Sequence, residues 1–274
     1  DAQINILASK QNHKINEGNP HIHRIWIYEK GLQALPLILE LKKEKFDVWL
    51  DAKDHPSTES SLLAKISNAG MKIGWNKEGS NIFTHPTNHL SNPRFHRVET
   101  NLAALSLLEI TPQASLLPEL FPSPDAEKFT EQFLKEIGHP VVVNISAGSE
   151  SRYVTVETWQ QVCKAITMPV VLNFVPKDLD IAKRIKGNNT NIHLFPSRSI
   201  MDAVSLIKRA QLLISPDTAA IHIASAFNVP TLGLYTSQEW NYSRFRPLSL
   251  QSLVIQSKEG EALSTLTPNE ILTA

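Results

Sequence analysis

Leu212-Leu213-Ile214-Ser215-Pro216-Asp217-Thr218-Ala219-Ala220-Ile221-His222-Ile223-Ala224 reads as a buried strand, a tight polar turn and an apolar helix. A short apolar run bounded by turn residues is how a strand covered on both faces of a parallel sheet is written. Where such a strand feeds directly into a helix, unpaired N–H groups stand at the C-terminal edge of the sheet, and anions and phosphorylated ligands bind there. Thr218 and Ala219 are placed to donate to a diphosphate. The Asp217 carboxylate suits sugar hydroxyls better than phosphate, and His222, about one turn after Thr218, can face the same pocket. The same residues also fit a plainer assignment, with Asp217 or Thr218 as an N-cap and His222 satisfied in the core.

Working outward, apolar runs of the same kind recur at Val141 to Ile145, Val170 to Phe174, Asn191 to Phe195 and Thr231 to Tyr235. Segments of helical period separate them, at Glu157 to Ile166, Asp178 to Ile185, Ile200 to Arg209 and Ala219 to Ala226. Strands alternating with helices predict a parallel, doubly wound α/β domain. The N-terminal half repeats the theme less regularly, with strands at Ile4 to Ala8, Ile22 to Ile27, Phe46 to Leu50 and Met71 to Trp75. Helices are expected near Leu32 to Lys43, Ser57 to Ser67 and Val98 to Glu109, and a last one after Thr267-Pro268. The proline-bearing stretch Pro112 to Pro124 and a further helix place the expected domains at 1–137 and 138–274.

Basic and acidic residues balance at 27 each, so nucleic acid is not an expected partner. The single cysteine, Cys163, sits in a helical pattern with Trp159, Val162 and Ile166 and reads as a buried small side chain. No apolar run approaches the roughly 18 residues that span a bilayer, and no leader with a basic start and apolar core opens the chain. A cytoplasmic monomer is expected.

Several signatures are absent. No two of the ten glycines lie two residues apart, so the G-x-G-x-x-G loop is missing, as are Walker A, G-x-S-x-G and H-E-x-x-H. A second phosphate-binding candidate is the strand and small-residue loop Val141 to Arg152. There Gly148 permits close backbone approach, Ser149 can donate and Arg152 can make charge-assisted bonds to phosphate, although a solvated arginine also fits. Asp178-Leu179-Asp180 copies a metal-binding D-x-D, but it opens a helix after Pro176, where the helix dipole favours carboxylates. One of these carboxylates, Asp178 being the one carried forward, can still reach a ribose hydroxyl, as acidic groups after a strand do in nucleotide-binding folds. His13, His21, His23, His85, His89 and His96 lack ligand spacing, so no metal site is expected. The polar loop Asp51-Ala52-Lys53-Asp54-His55-Pro56-Ser57 follows a strand, where such sheets place function.

Together these segments resemble glycosyltransferase family 9, the ADP-heptose:lipopolysaccharide heptosyltransferases. Ser215 to Ala224, with Pro230 and Gly233-Leu234-Tyr235, is similar to the family's D-T-G-x-x-H-x-A element and the strand after it. Arg152, seven residues before Trp159, matches a family lysine, with Val154 and Thr155 standing where Trp and Pro are usual. Pro196 to Val204 is similar to the segment lining the base, which puts Arg198 and Ile200 near adenine. Phe46 to Asp51, Lys72 to Trp75 and His96 to Leu102 follow the family's running pattern.

The resemblance implies a GT-B fold, two Rossmann-like domains facing across a cleft, with the donor on the C-terminal one. It implies inverting transfer of a sugar, a heptose, from a nucleotide-diphosphate donor, an ADP-sugar, to a glycolipid acceptor of lipopolysaccharide type. No metal cofactor is implied, and contact with the inner face of the inner membrane is. The donor residues carried over are Ser149, Arg152, Asp178, Arg198, Ile200, Asp217, Thr218, Ala219 and His222; Asp51, Lys53, His55 and His96 are acceptor-side candidates. The family's presumed base is an Asp in a Gly-Asp loop after the first strand, an element this reading places upstream of Asp1. Ala219 departs from the glycine of D-T-G, and Asp54 and Glu59 stand where basic acceptor-binding residues are expected. Two other readings stay open: a degenerate nucleotide-sugar-binding relative and a GT-B-fold sugar-nucleotide epimerase.

Overall fold

The structure is a computed structural model that describes residues 2–90, 92–111 and 117–274. Two compact units divide the chain: Asp1–His13 with Pro20–Leu116, and Lys14–Asn19 with Leu117–Ala274. Of the proline-bearing linker, residues 112–116 lie outside the described residues.

The first unit contains β1 (Ile4–Ser9), β2 (Ile22–Tyr28), α1 (Leu35–Lys43), β3 (Val48–Leu50), α2 (Thr58–Ile66), β4 (Met71–Gly74), β5 (His85–Pro86) and α3 (Arg97–Ala103). β1 pairs with β2, and β3, β4 and β5 form a second sheet, all in parallel register. One buried cluster holds Trp26, Leu41 and Leu63, with Leu7, Phe46 and Trp49 packed against them, and Ile73 and Phe83 are buried as well. Phe46 meets both indoles edge-on, at 6.3 and 6.4 Å between ring centres. The helix expected from Val98 to Glu109 is broken into α3 and a 3-10 turn, Ala104–Leu108, which ends at Glu109 in the left-handed region with φ 57°.

The second unit contains α4 (Pro124–Leu134), β6 (Val141–Asn144), α5 (Val156–Ala165), β7 (Val170–Asn173), α6 (Leu179–Lys186), β8 (Ile192–Leu194), α7 (Ile200–Lys208), β9 (Leu212–Pro216), α8 (Ala219–Ala226), β10 (Thr231–Tyr235), α9 (Glu239–Phe245), β11 (Ser252–Gln256) and α10 (Pro268–Leu272). Six parallel strands run in the order β11-β10-β9-β6-β7-β8. Both faces are covered, as a parallel sheet requires. In β6, Val141 and Val143 pack with Trp159, Val162 and Leu172, while Val142 points the other way among Phe195, Val204 and Ile207.

A domain boundary at 137 gives α4 to the first unit, but the structure places it in the second. Phe133 of α4 packs edge-on against Phe195 at 5.0 Å, and Glu127 takes the Lys208 ammonium at 2.9 Å. The terminal helix forms as expected: Pro268 occupies its first turn, and Thr267 and Glu270 cap each other's backbone N–H.

Strand order reverses direction between β6 and β9. Chains leaving the C-terminal ends of these neighbours depart to opposite sides, and the crevice between them is where doubly wound sheets bind ligands.

Candidate functional site

The crevice is built on asparagines. β6 and β7 are apolar until their last residues, Asn144 and Asn173, which lie side by side in register. Asn173 Nδ2 donates to Asn144 Oδ1 at 3.0 Å. Asn144 Nδ2 in turn points at Ser146 O, Ser215 Oγ and Thr218 Oγ1, each at 3.1 Å. One buried amide thereby ties the end of β6 to the end of β9 and to the start of α8, a polar network held together by mutual satisfaction.

Thr218 caps α8, its hydroxyl accepting from Ala220 N at 3.2 Å. The plainer assignment of Thr218 as an N-cap is therefore realised, and it is compatible with anion binding. Among the described residues the backbone N–H groups of Thr218 and Ala219 enter no hydrogen bond, so they are open at the positive end of the helix.

A cavity of about 500 Å³ opens beside them. Phe174, Val175, Pro176, Ile200, Ala203 and Ile223 supply its apolar wall, and Asn144, Ser146, Lys177, Ser197, Arg198 and Thr218 its polar rim. Volume and lining suit a small organic ligand with one apolar and one polar face.

Arg152 lies at the edge of this arrangement. Its Nη1 donates to Asp217 O at 3.0 Å and pairs with Asp217 Oδ2 at 3.2 Å. Asp217 is buried, and the same Oδ2 accepts from Asn241 Nδ2 at 2.6 Å. The two phosphate-binding segments read from the sequence therefore meet.

Other candidates fall differently. Thr218, Ala219, Ile200 and Arg198 line the cavity. Arg198 is also engaged outside it, stacked 3.8 Å over the Phe129 ring and bonded to Asp202 and Asp125. Burial acts to raise the Asp202 carboxyl, but the Arg198 bonds outweigh it and hold it below the usual carboxylate range. Ser149 is exposed and meets the Ser151 hydroxyl at 3.2 Å; it does not line the cavity, although Gly148 beside it does.

Asp178 corrects the sequence reading. It is 4% exposed and accepts from Ser146 Oγ at 2.5 Å and Tyr153 OH at 3.0 Å. Ser146 Oγ accepts from Val175 N at 2.9 Å, so Asp178 clamps the loops after β6 and β7 together instead of facing ribose.

His222 lies one turn into α8, partly buried, edge-on to Phe245 at 6.1 Å between ring centres, and outside the cavity lining. Burial lowers its pKa below 6.5, with the nearby Asp217 opposing. A histidine whose folded value is depressed leaves the folded state binding fewer protons than the unfolded chain. Stability linked to it is present above 6.5 and lost as pH falls through the folded value. His222→Gln should accordingly flatten the acid-side decline in urea-unfolding free energy below pH 6.5 relative to the parent chain; an unchanged slope would show that the imidazole is not excluded from protonation.

In the first unit, Asp51 and Lys53 line a small pocket of about 20 Å³ with Trp75, Thr87 and Asn101. His55 is exposed and pairs with Asp54 at 3.3 Å, outside that lining. His96 is not an acceptor group: it is 1% exposed and caps α3, its Nδ1 accepting from Val98 N at 3.1 Å. Among the described residues no group of three or more His, Cys, Asp or Glu is placed to hold a metal ion. Cys163 is buried, and burial pushes its thiol up to about 12, which makes it inert as a nucleophile.

Sequence reasoning missed Asn144, Asn173, Ser146, Tyr153, Lys177 and Asn241. The available signal for the first two is the repeated pattern of an apolar strand closed by asparagine, Val141-Val142-Val143-Asn144 and Val170-Val171-Leu172-Asn173.

A six-stranded parallel sheet with this strand order and a helix starting at its reversal point defines a doubly wound α/β protein. The sequence description of Glycosyltransferase family 9 (heptosyltransferase) matches residues 35–270, and the chain belongs to that family. It is 24% identical over 213 residues to the lipopolysaccharide core heptosyltransferase OpsX of Haemophilus influenzae, a match covering 74% of this chain and 60% of that protein. The glycosyl transferase family 9 structure from Veillonella parvula superposes with a TM-score of 0.85 at 16% identity, covering 99% of this chain and 86% of that one. The Escherichia coli heptosyltransferase WaaC with ADP-2-deoxy-2-fluoro heptose superposes with a TM-score of 0.78 at 16% identity, covering 99% and 88%. The fold is that of the GT-B heptosyltransferases.

Proposed function

We propose that the chain acts in a glycosyltransferase reaction that moves a sugar, a heptose, from an ADP-sugar to a lipopolysaccharide-type glycolipid at the inner face of the inner membrane. The observation that carries this reading is that Thr218 and Ala219, whose N–H groups are open at the start of α8, line the cavity while Arg152 is bonded to the adjacent Asp217. In this reading the base and ribose occupy the cavity between Phe174, Pro176 and Ile200, and the diphosphate lies against α8. Inversion requires an acceptor hydroxyl to attack the anomeric carbon from the side opposite the leaving diphosphate, while a base takes its proton. Arg152 and the helix N–H groups would stabilise the charge that grows on the leaving group, with no metal ion needed for that task. Asp217 Oδ1 is the candidate contact to a sugar hydroxyl. The acceptor would be met by the first unit, with Asp51 and Lys53 as the candidate contacts.

Adenine is assigned on family membership and on the ligand named with the WaaC structure. ADP at about 100 times its dissociation constant should stabilise the second unit by about 2.7 kcal/mol in a thermal-shift titration. Greater stabilisation by UDP at matched concentration would reverse the assignment.

One observation supports a second reading, a nucleotide-sugar-binding protein without turnover. No carboxylate lines the cavity among the described residues, and Asp178 and Asp217, next in sequence to lining residues, are both engaged by protein donors. Donor binding without sugar transfer or donor hydrolysis by the full-length protein would favour that reading.

A further inference from the structure

The outer face of α1 is apolar where a solvated helix face is normally polar. Its inner face, Leu37, Ile38 and Leu41, turns into the first unit, and Leu41 is 1% exposed. On the outer side stand Leu32, Leu35 and Leu39, exposed to 84, 52 and 60%. Their three- and four-residue spacing runs them along one stripe, from the 3-10 turn Gly31–Ala34 into α1. Lys42 and Lys43 continue the helix in its last turn, and Lys45 follows. The nearby carboxylates offset these lysines only in part: Glu40 and Glu44 share the one Arg24 guanidinium, at 2.9 and 3.6 Å, which leaves one negative charge against three lysines. Single exposed leucines are ordinary on protein surfaces, but three in line beside a lysine cluster of net positive charge mark an interaction face.

We infer that this stripe docks the chain on an anionic lipid bilayer. Leu32, Leu35 and Leu39 enter the boundary between headgroups and acyl chains, and Lys42, Lys43 and Lys45 lie against lipid phosphates. An interfacial helix works in this way, by burying apolar area while its cations meet anionic headgroups. The charge pattern selects this occupant, since an apolar protein partner would have no use for the lysine cluster. The inference extends the membrane side of the proposed function, but it rests on the surface of α1 and not on donor chemistry.

Co-sedimentation of the chain with vesicles of mixed phosphatidylglycerol and phosphatidylcholine, against phosphatidylcholine alone, tests it. Binding should favour the anionic vesicles and weaken as salt is added. Lys42→Gln/Lys43→Gln should weaken it about 25-fold, at about fivefold per lysine. Leu32→Ser/Leu35→Ser/Leu39→Ser should weaken it by about tenfold or more through lost apolar burial. All these positions are exposed, so both variants should keep the parent's melting profile. ADP titration of the same variants should be unchanged, which separates this inference from the donor assignment. Absence of parent binding to anionic vesicles would overturn the proposal, as would full binding by either variant. Self-association of the parent that the leucine variant abolishes would also overturn it, by showing that a second copy covers the stripe.

Discussion

Arg152→Ala is expected to weaken ADP by roughly 10- to 150-fold in calorimetric titration, the equivalent of losing one charge-assisted contact of about 1.5 to 3 kcal/mol. Two effects act in the same direction. The guanidinium itself is lost as a partner for diphosphate, and Asp217, 5% exposed, is left with Asn241 as its neutral donor and an uncompensated charge near the anion. Asp217→Asn in the Arg152→Ala background should therefore return part of the lost affinity, because the amide removes the charge and can still accept from Asn241. The sequence reading, in which Asp217 meets only sugar hydroxyls, expects Asp217→Ala to spare ADP and to weaken only the sugar-bearing donor. Since the carboxylate also orients Arg152, the structure adds a loss of ADP affinity. Undiminished ADP binding by Arg152→Ala would sink the diphosphate assignment outright.

The second large effect is on stability. Asn144→Ala should destabilise the second unit by about 2 to 4 kcal/mol, since it strands the Asn173 amide and removes the donor shared by Ser146 O, Ser215 and Thr218. For a domain of this size that corresponds to a melting temperature lower by roughly 5–15 °C. The double variant Asn144→Ala/Asn173→Ala should cost less than the sum of the single changes, because each removes a partner of the other. Additive losses would mean that the asparagines act independently and that no network holds α8 to β6.

The fold of the second unit is legible in the sequence for a physical reason. Strands covered on both faces are apolar for most of their length, so β6, β7 and β9 stand out as runs of valine, leucine and isoleucine and β10 as a largely apolar run, Thr231 to Tyr235. β11 escapes notice because it is an edge strand with exposed Ser252 and Leu253. α9 escapes because its one buried residue is polar, Asn241. In the candidate site, Thr218 and Ala219 are readable because a strand–turn–helix junction advertises free N–H groups locally. The meeting of Arg152 with Asp217, 65 positions apart, is not local, and neither is the clamp from Asp178 to Ser146. Asp178 was open to misreading because a carboxylate after a strand looks the same in sequence whether it faces ligand or protein. Asn144 and Asn173 resemble turn formers, and only the register between β6 and β7 reveals them as a pair.

The contrast between the two cores bears on how any melting curve of this chain is read. The first unit buries a cluster of Trp26, Leu41 and Leu63 with Ile73 and Phe83 besides, and its strands fall into two separate sheets, whereas the six-stranded sheet of the second unit is packed on both faces. Units so unequally furnished need not lose structure together, and a single transition midpoint then belongs to neither. Tryptophan emission offers a way to tell them apart. Trp26, Trp49 and Trp75 report on the first unit and Trp159 and Trp240 on the second, so a fluorescence trace weights the smaller core more heavily than a calorimeter does.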